Sequence, residues 1–136
     1  MTELSNHTML STIASLTEQD TSYTLARVVA EAADERKGDE ILLLKVGDVS
    51  ILADYFVIVT GYSKVQVRAI ARSIEDTVEE KLNRRPLRSE GLSEGTWVVA
   101  DYGDVIVHVM MPQEREYYSL EAFWGHAERF PFTTQS

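Results

Sequence analysis

The chain has no cysteine. That excludes disulfides, thiolate zinc sites and cysteine nucleophiles, and it suits a reducing compartment. No apolar run approaches the ~20 residues a membrane span needs, so no membrane contact is expected. Positive charge is scarce: 13 Lys and Arg stand against 22 Asp and Glu, a net charge of −9 over 136 residues. Such a chain does not rest broadly on phosphate backbones, where Lys and Arg supply most of the affinity, so little direct RNA contact is expected. Its favoured macromolecular partners carry positive charge, although acidity also serves plain solubility. Phosphate loops of the Walker type and Gly-x-Gly-x-x-Gly fingerprints are absent. The three histidines, His7, His108 and His126, show no metal-ligand spacing. No metal or cofactor is expected.

What is present is an ordinary globular composition, 44% hydrophobic and 26% charged. A chain of this length buries roughly two-thirds of its unfolded surface. Residues 1–22 are rich in Ser and Thr, contain neither Lys nor Arg, and read as an N-terminal tail rather than a transit or signal peptide. A short helix around Met9 to Leu16 is the one element that stretch offers. The body spans 23–130, and 131–136 reads as a C-terminal tail.

Leu25, Val28, Val29 and Ala32 form one apolar helical stripe, with Arg36 closing it and Gly38 as the stop. "ILLLKV" (41–46) reads as a strand buried on both faces, and "DYFVIVTG" (54–61) as a central strand. Ser63 and Gln66 make a capping box for a helix whose buried stripe is Val67, Ile70, Ala71, Ile74 and Val78. "RRPLRSEG" suits an edge segment. "TWVVADYGDVIVHVMM" is a hairpin turning at Tyr102-Gly103. "PQEREYYSLEAFWGHAERF" reads as a helix with Pro112 at its first position and Tyr117, Leu120 and Trp124 on its inner face. The sum is one layered α/β domain with a mixed sheet of about five strands.

That turn pairs Asp101 with Asp104, Val99 with Ile106 and Trp97 with His108. One sheet face then carries Trp97, Val99, Asp101, Asp104, Ile106, His108 and Met110; the other carries Val98, Ala100, Val105, Val107 and Val109. The second is a plain core face. The first, with an aromatic anchor and carboxylates, suits a protein partner bearing Lys or Arg. It equally suits Trp97 packed under the last helix with solvated turn aspartates, and His108 as a hydrogen-bonded structural histidine. An enzyme reading stays open beside these. "GYS" (61–63) is reminiscent of a nucleotidyltransferase loop, and Asp101 and Asp104 would then hold magnesium with Ser63 near phosphate. Those enzymes need carboxylates at i and i+2 of a strand, which are lacking here, and "GYS" is also a simple exit turn with an N-cap.

"DYFVIVTGYSKVQVRAIA", the "EG" at 90–91, "WVVADYGDVIVHVM" and "REYYSLEAFW" together resemble the ribosomal silencing factor family, also called Iojap. The resemblance runs in order over about residues 23–128. "MMPQE" departs from it where many relatives have phenylalanine. The resemblance implies a nucleotidyltransferase-like α/β fold that has lost the catalytic carboxylates. It implies binding to the large ribosomal subunit through its fourteenth protein, steric block of small-subunit joining, and lowered translation, with no catalysis. A homodimer is the form it suggests, and with no targeting signal read in the sequence the expected location is the cytoplasm. Carried over by motif, the partner-binding residues are Trp97 as hot spot, Asp101, Asp104 and His108, with Glu90 and Tyr102 at the rim. Arg115 would brace an acidic group such as Asp104 or reach the partner, and Tyr117 would serve packing.

Overall fold

The computed structural model describes residues 21–48 and 52–132. The helix expected around Met9 to Leu16 lies outside them. Residues 21–35 form α1, so Thr21 and Ser22, assigned above to the tail, are already helical. Leu25, Ala26, Val29, Ala30, Ala32 and Ala33 are all buried. The alanines let the helix lie close on the sheet. Its stop differs from expectation. Lys37, not Gly38, takes the left-handed conformation (φ 62°). The Gly38 N–H then reaches back to the Ala33 carbonyl at 2.9 Å and that of Lys37 to Asp34 at 2.9 Å, satisfying the last turn. Gly38 is required for space: a Cβ there would lie 2.6 Å from Cγ1 of Val59.

β1 (Asp39–Lys45) and β2 (Tyr55–Thr60) pair antiparallel, with an irregularity between Asp39 and Leu42. Ile41 to Leu44 are buried on alternate faces, and all six residues of β2 are buried. β2 is flanked by β1 and by β5, a central position as expected. α2 (Lys64–Leu82) follows, and its buried residues are the five of the expected stripe. The Ser63 hydroxyl accepts the Gln66 N–H at 3.0 Å. Gln66 answers one residue earlier than a capping box requires, accepting from the Tyr62 N–H at 2.7 Å. Its amide also donates to the Lys37 carbonyl at 3.0 Å, which ties the end of α1 to the start of α2.

β3 (Arg88–Glu90), β4 (Trp97–Asp101) and β5 (Val105–Met110) complete one half of the sheet. The C-terminal segment departs from the single expected helix. α3 (Pro112–Tyr118) ends at Ser119, a left-handed residue (φ 48°), and α4 (Leu120–Phe123) is one short turn. The chain then forms β6 (Glu128–Pro131), antiparallel to β1. Phe132 continues this edge, its N–H donating to the Ile41 carbonyl at 2.9 Å. Among the described residues six strands in the order β3-β4-β5-β2-β1-β6 replace the expected five, and β2 with β5 is the parallel pair. One sheet face is filled by α1 and α2. The other holds a smaller cluster of Leu42, Leu44, Val46, Phe56, Ile58 and Met110, partly covered by Leu120, Trp124 and Ala127 of the C-terminal segment.

Candidate binding face

The hairpin of β4 and β5 carries the site. Trp97 pairs with Met110, Val99 with His108 and Asp101 with Ile106. This is two residues away from the expected register. The turn sits on Gly103-Asp104, where Gly103 has φ +93°, and the Tyr102 N–H closes it on the Val105 carbonyl at 2.9 Å. A shift of two preserves which side each residue faces. Val98, Ala100, Val105, Val107 and Val109 accordingly lie in the helix-side core, and Trp97, Ile106 and Met110 pack on the opposite face.

The shift separates the two aspartates. Asp101 stays on its strand and accepts the Gly103 N–H at 2.8 Å. Asp104 lies in the turn and is taken up by Arg84, whose guanidinium forms two bonds to the carboxylate at 2.8 and 3.2 Å. Arg84 also donates to the Tyr102 carbonyl at 2.9 Å. Burial alone would raise the Asp104 carboxyl. Hydrogen bonds from Arg84 and Ser22 outweigh it and hold the group below its ordinary range. The carboxylate beside Asp104 is instead Asp54. Both residues immediately precede neighbouring parallel strands, and the Asp54 N–H donates to the Asp104 carbonyl at 2.8 Å. The Ser22 hydroxyl lies 2.7 Å from Asp54 and 3.0 Å from Asp104. Arg84, Ser22 and Asp54 were missed in the sequence. The one signal was an aspartate directly before each apolar run, in "ADYFVIV" and "GDVIVHV".

Trp97 is half-buried, and its indole N–H donates to Nδ1 of His108 at 3.1 Å. Its ring packs on Tyr118 with centroids 4.6 Å apart. His108 is 7% exposed and packs against Phe56, with ring centroids 5.1 Å apart and the planes tilted by 54°. Burial pushes its imidazole down to about 4, so it is neutral at physiological pH. The rings form one arc, in the order Tyr117, Tyr118, Trp97, His108, Phe56, Trp124, Phe123, with each neighbouring pair in contact. The arc is buried in the middle and open at both ends: Tyr117 is 82% and Phe123 76% exposed. Tyr117 therefore does not pack inward as the single-helix reading required.

Two further expectations are corrected. Tyr102 is 2% exposed and belongs to the helix-side core, where burial pushes its hydroxyl well up, so it offers no rim contact. Arg115 is buried, and the acidic group it braces is Glu121 rather than Asp104. It donates to Oγ1 of Thr60 at 2.8 Å and to the Glu40 carbonyl, and it lies 3.4 Å from the Glu121 carboxylate. It anchors α3 to the irregular start of β1. Glu90 is exposed on the edge strand, opposite Val99 and so on the Trp97 side of the sheet. Arg88, opposite Asp101, shares that side. Among the described residues no three His, Asp or Glu side chains gather as a metal site requires. What remains accessible is a surface with one half-buried indole, exposed tyrosines and the acidic Glu90 and Asp101, the composition of a protein-binding patch.

A family model described as "Ribosomal silencing factor during starvation" matches residues 19–136. The chain is 43% identical to the ribosomal silencing factor of Bacillus subtilis over 103 residues, 76% of this chain and 86% of that one. It is 35% identical to the chloroplastic protein Iojap of Zea mays over 79% of this chain and 47% of that one. A mouse protein named "Mitochondrial assembly of ribosomal large subunit protein 1" is 30% identical over 62% of this chain and 38% of its own length. A crystal structure of a Chromobacterium violaceum protein superposes with a TM-score of 0.73 at 34% identity, covering 83% of this chain and 92% of that one. Sequence and fold agree along nearly the whole described body, and the chain belongs to the ribosomal silencing factor family.

Proposed function

We propose that the chain is a non-catalytic repressor of translation. It binds the large ribosomal subunit through the subunit's fourteenth protein and sterically blocks joining of the small subunit. The large subunit is suggested by the mouse relative's name, and silencing by the names of the bacterial relatives. The observation that carries the reading is the open face around Trp97. Its indole supplies apolar burial at the centre, and Glu90 and Asp101 meet Lys or Arg of a basic partner at the margin. No bond is made or broken: the bound chain occupies a surface the small subunit must approach. It acts in the cytoplasm. The same reading includes a homodimer, for which the exposed rings of Tyr117 and Phe123 are the best-suited surface.

The magnesium-dependent nucleotidyltransferase reading is disfavoured. Asp101 and Asp104 do not face one another, and Asp104 is already neutralised by Arg84.

The test is co-sedimentation of the purified protein with separated ribosomal subunits, followed by a subunit-joining assay. The protein is expected to travel with the large subunit and to lower the yield of joined ribosomes. Trp97→Ala is expected to cost ~2 kcal/mol or more of that binding. Migration at the top of the gradient in low salt, or equal binding by the Trp97→Ala protein, would remove the support for this function.

A further inference from the structure

We infer that His108 is a positioning residue for Trp97: its Nδ1 holds the indole in the one orientation that presents the ring edge to a partner. The sheet puts the two residues on one face, with His108 opposite Val99 and one diagonal step from Trp97. The Trp97 N–H donates to Nδ1 at 3.1 Å. Nδ1 therefore carries the lone pair, and the neutral ring keeps its proton on Nε2. That Nε2 is buried and has no hydrogen-bond partner among the described residues. The ring leaves one polar atom unmatched and spends the other on the indole.

The surroundings hold the acceptor in place. Phe56 lies 5.1 Å from the imidazole on the core side, and Tyr118 lies 4.6 Å from the indole on the solvent side. Trp97 thus lies between the Tyr118 ring of α3 and the His108 ring, whose centroid is 5.9 Å away. An indole without the His108 acceptor would need another partner for its N–H, and the open side of the face offers water. The ring would then turn toward solvent and lose the orientation a hot spot requires. The hydrogen bond orients the indole already in the free protein. Its consequence for binding rests on the function proposed above.

That hydrogen bond is tested on the full ¹⁵N-labelled chain, with the Trp97 indole signal identified by its loss in Trp97→Phe. A two-bond nitrogen–nitrogen coupling between the indole and Nδ1 of His108, with His108 in its Nε2–H tautomer, is expected. Absence of the coupling together with the opposite tautomer overturns the inference, and this readout needs no variant at His108. In His108→Leu the indole hydrogen should exchange with solvent about tenfold faster, the scale of one lost hydrogen bond. In His108→Asn a carbonyl oxygen stands near the place of Nδ1, and most of the protection should return; equal exchange in all three proteins overturns the inference. Large-subunit co-sedimentation then separates the two readings. His108→Leu should weaken binding in the wild-type background and have no further effect on Trp97→Ala. A released indole with undiminished binding, where Trp97→Ala itself binds weakly, overturns the positioning role. A released indole where Trp97→Ala also binds normally leaves His108 as the indole's anchor and overturns the proposed contact instead.

Discussion

Acidification should destabilise this protein through His108 before Asp104 contributes. In the unfolded chain the imidazole binds a proton near 6.5; in the folded protein burial pushes that down to about 4. Between the two values the unfolded state binds more protons, so lowering the pH favours unfolding. The stabilisation is whole above about pH 6.5 and is lost as the pH falls toward 4. Linkage gives a loss of about 2 kcal/mol between pH ~7.5 and ~5, and about 3 kcal/mol by pH ~4. For a domain whose total stability is ~5–15 kcal/mol this is easily measured. The Asp104 carboxyl, held below its ordinary 3.8, makes a contribution that is present above that value and lost as the pH falls below it, so the His108 loss between pH ~7.5 and ~5 comes first. The assay is urea unfolding of wild type and His108→Leu at pH ~7.5, ~6 and ~5. His126 is exposed and common to both proteins, so the difference between them isolates His108. Wild type should lose about 2 kcal/mol more than the variant across that range. Parallel curves would refute the claim that His108 is buried as a neutral ring.

Three further outcomes follow from the geometry. Arg84→Ala leaves the Asp104 carboxylate beside Asp54 with Ser22 alone; because the pair is part-exposed, the expected loss is about 1–2 kcal/mol in urea unfolding, and adding Asp104→Ala should recover part of it. Gly91→Ala places a Cβ 2.0 Å from the Trp97 carbonyl at a residue with φ +92°, so a loss of ~3 kcal/mol or more is expected, and an unchanged Tm would contradict this local geometry. Tyr117→Ala removes a ring that is 82% exposed in the single chain, so the stability of the monomer, measured under dilute conditions, should stay within about 0.5 kcal/mol, whereas the inward-packed tyrosine of a single long helix would cost several times as much.

The parts of the fold that were legible in the sequence are those where one periodicity dominates. α2 shows its five buried residues because its stripe is unbroken between a capping serine and a left-handed Asn83. β2 reads as central because its positions are a continuous run of aromatic and β-branched residues, and all six are buried. The C-terminal segment lacks that clarity. Ser119 adopts a left-handed conformation that serine rarely takes, and nothing in "EYYSLEAF" announces it. β6 is four residues long with two charges and a proline, which is how an exposed edge strand looks and also how a helix end looks. Its pairing with β1 is a long-range contact, and local pattern does not report those.

The candidate site divides along the same line. Face assignment on a hairpin depends only on parity, so an error of two residues in the turn left Trp97, Val99, Asp101, Ile106 and His108 together on one side of the sheet. Cross-strand pairing depends on the turn itself, and there the same error created an aspartate pair that does not exist. Tyr102-Gly103 and Gly103-Asp104 both place a glycine in a two-residue turn. The difference lies in the glycine's position and in the Asp101 carboxylate that accepts its N–H. The true carboxylate neighbour, Asp54, is fifty residues away, and it reaches Asp104 only because β2 and β5 run parallel and begin level with one another. An acidic pair met in that way needs a cation supplied by the fold. Arg84 answers that need from the segment after α2, in a run of arginines that sequence alone assigns to a solvated edge. The acidity of this corner is thus spent inside the protein. Glu90 and Asp101 are the carboxylates left on the Trp97 side of β3 and β4, and it is there that a basic partner would find them.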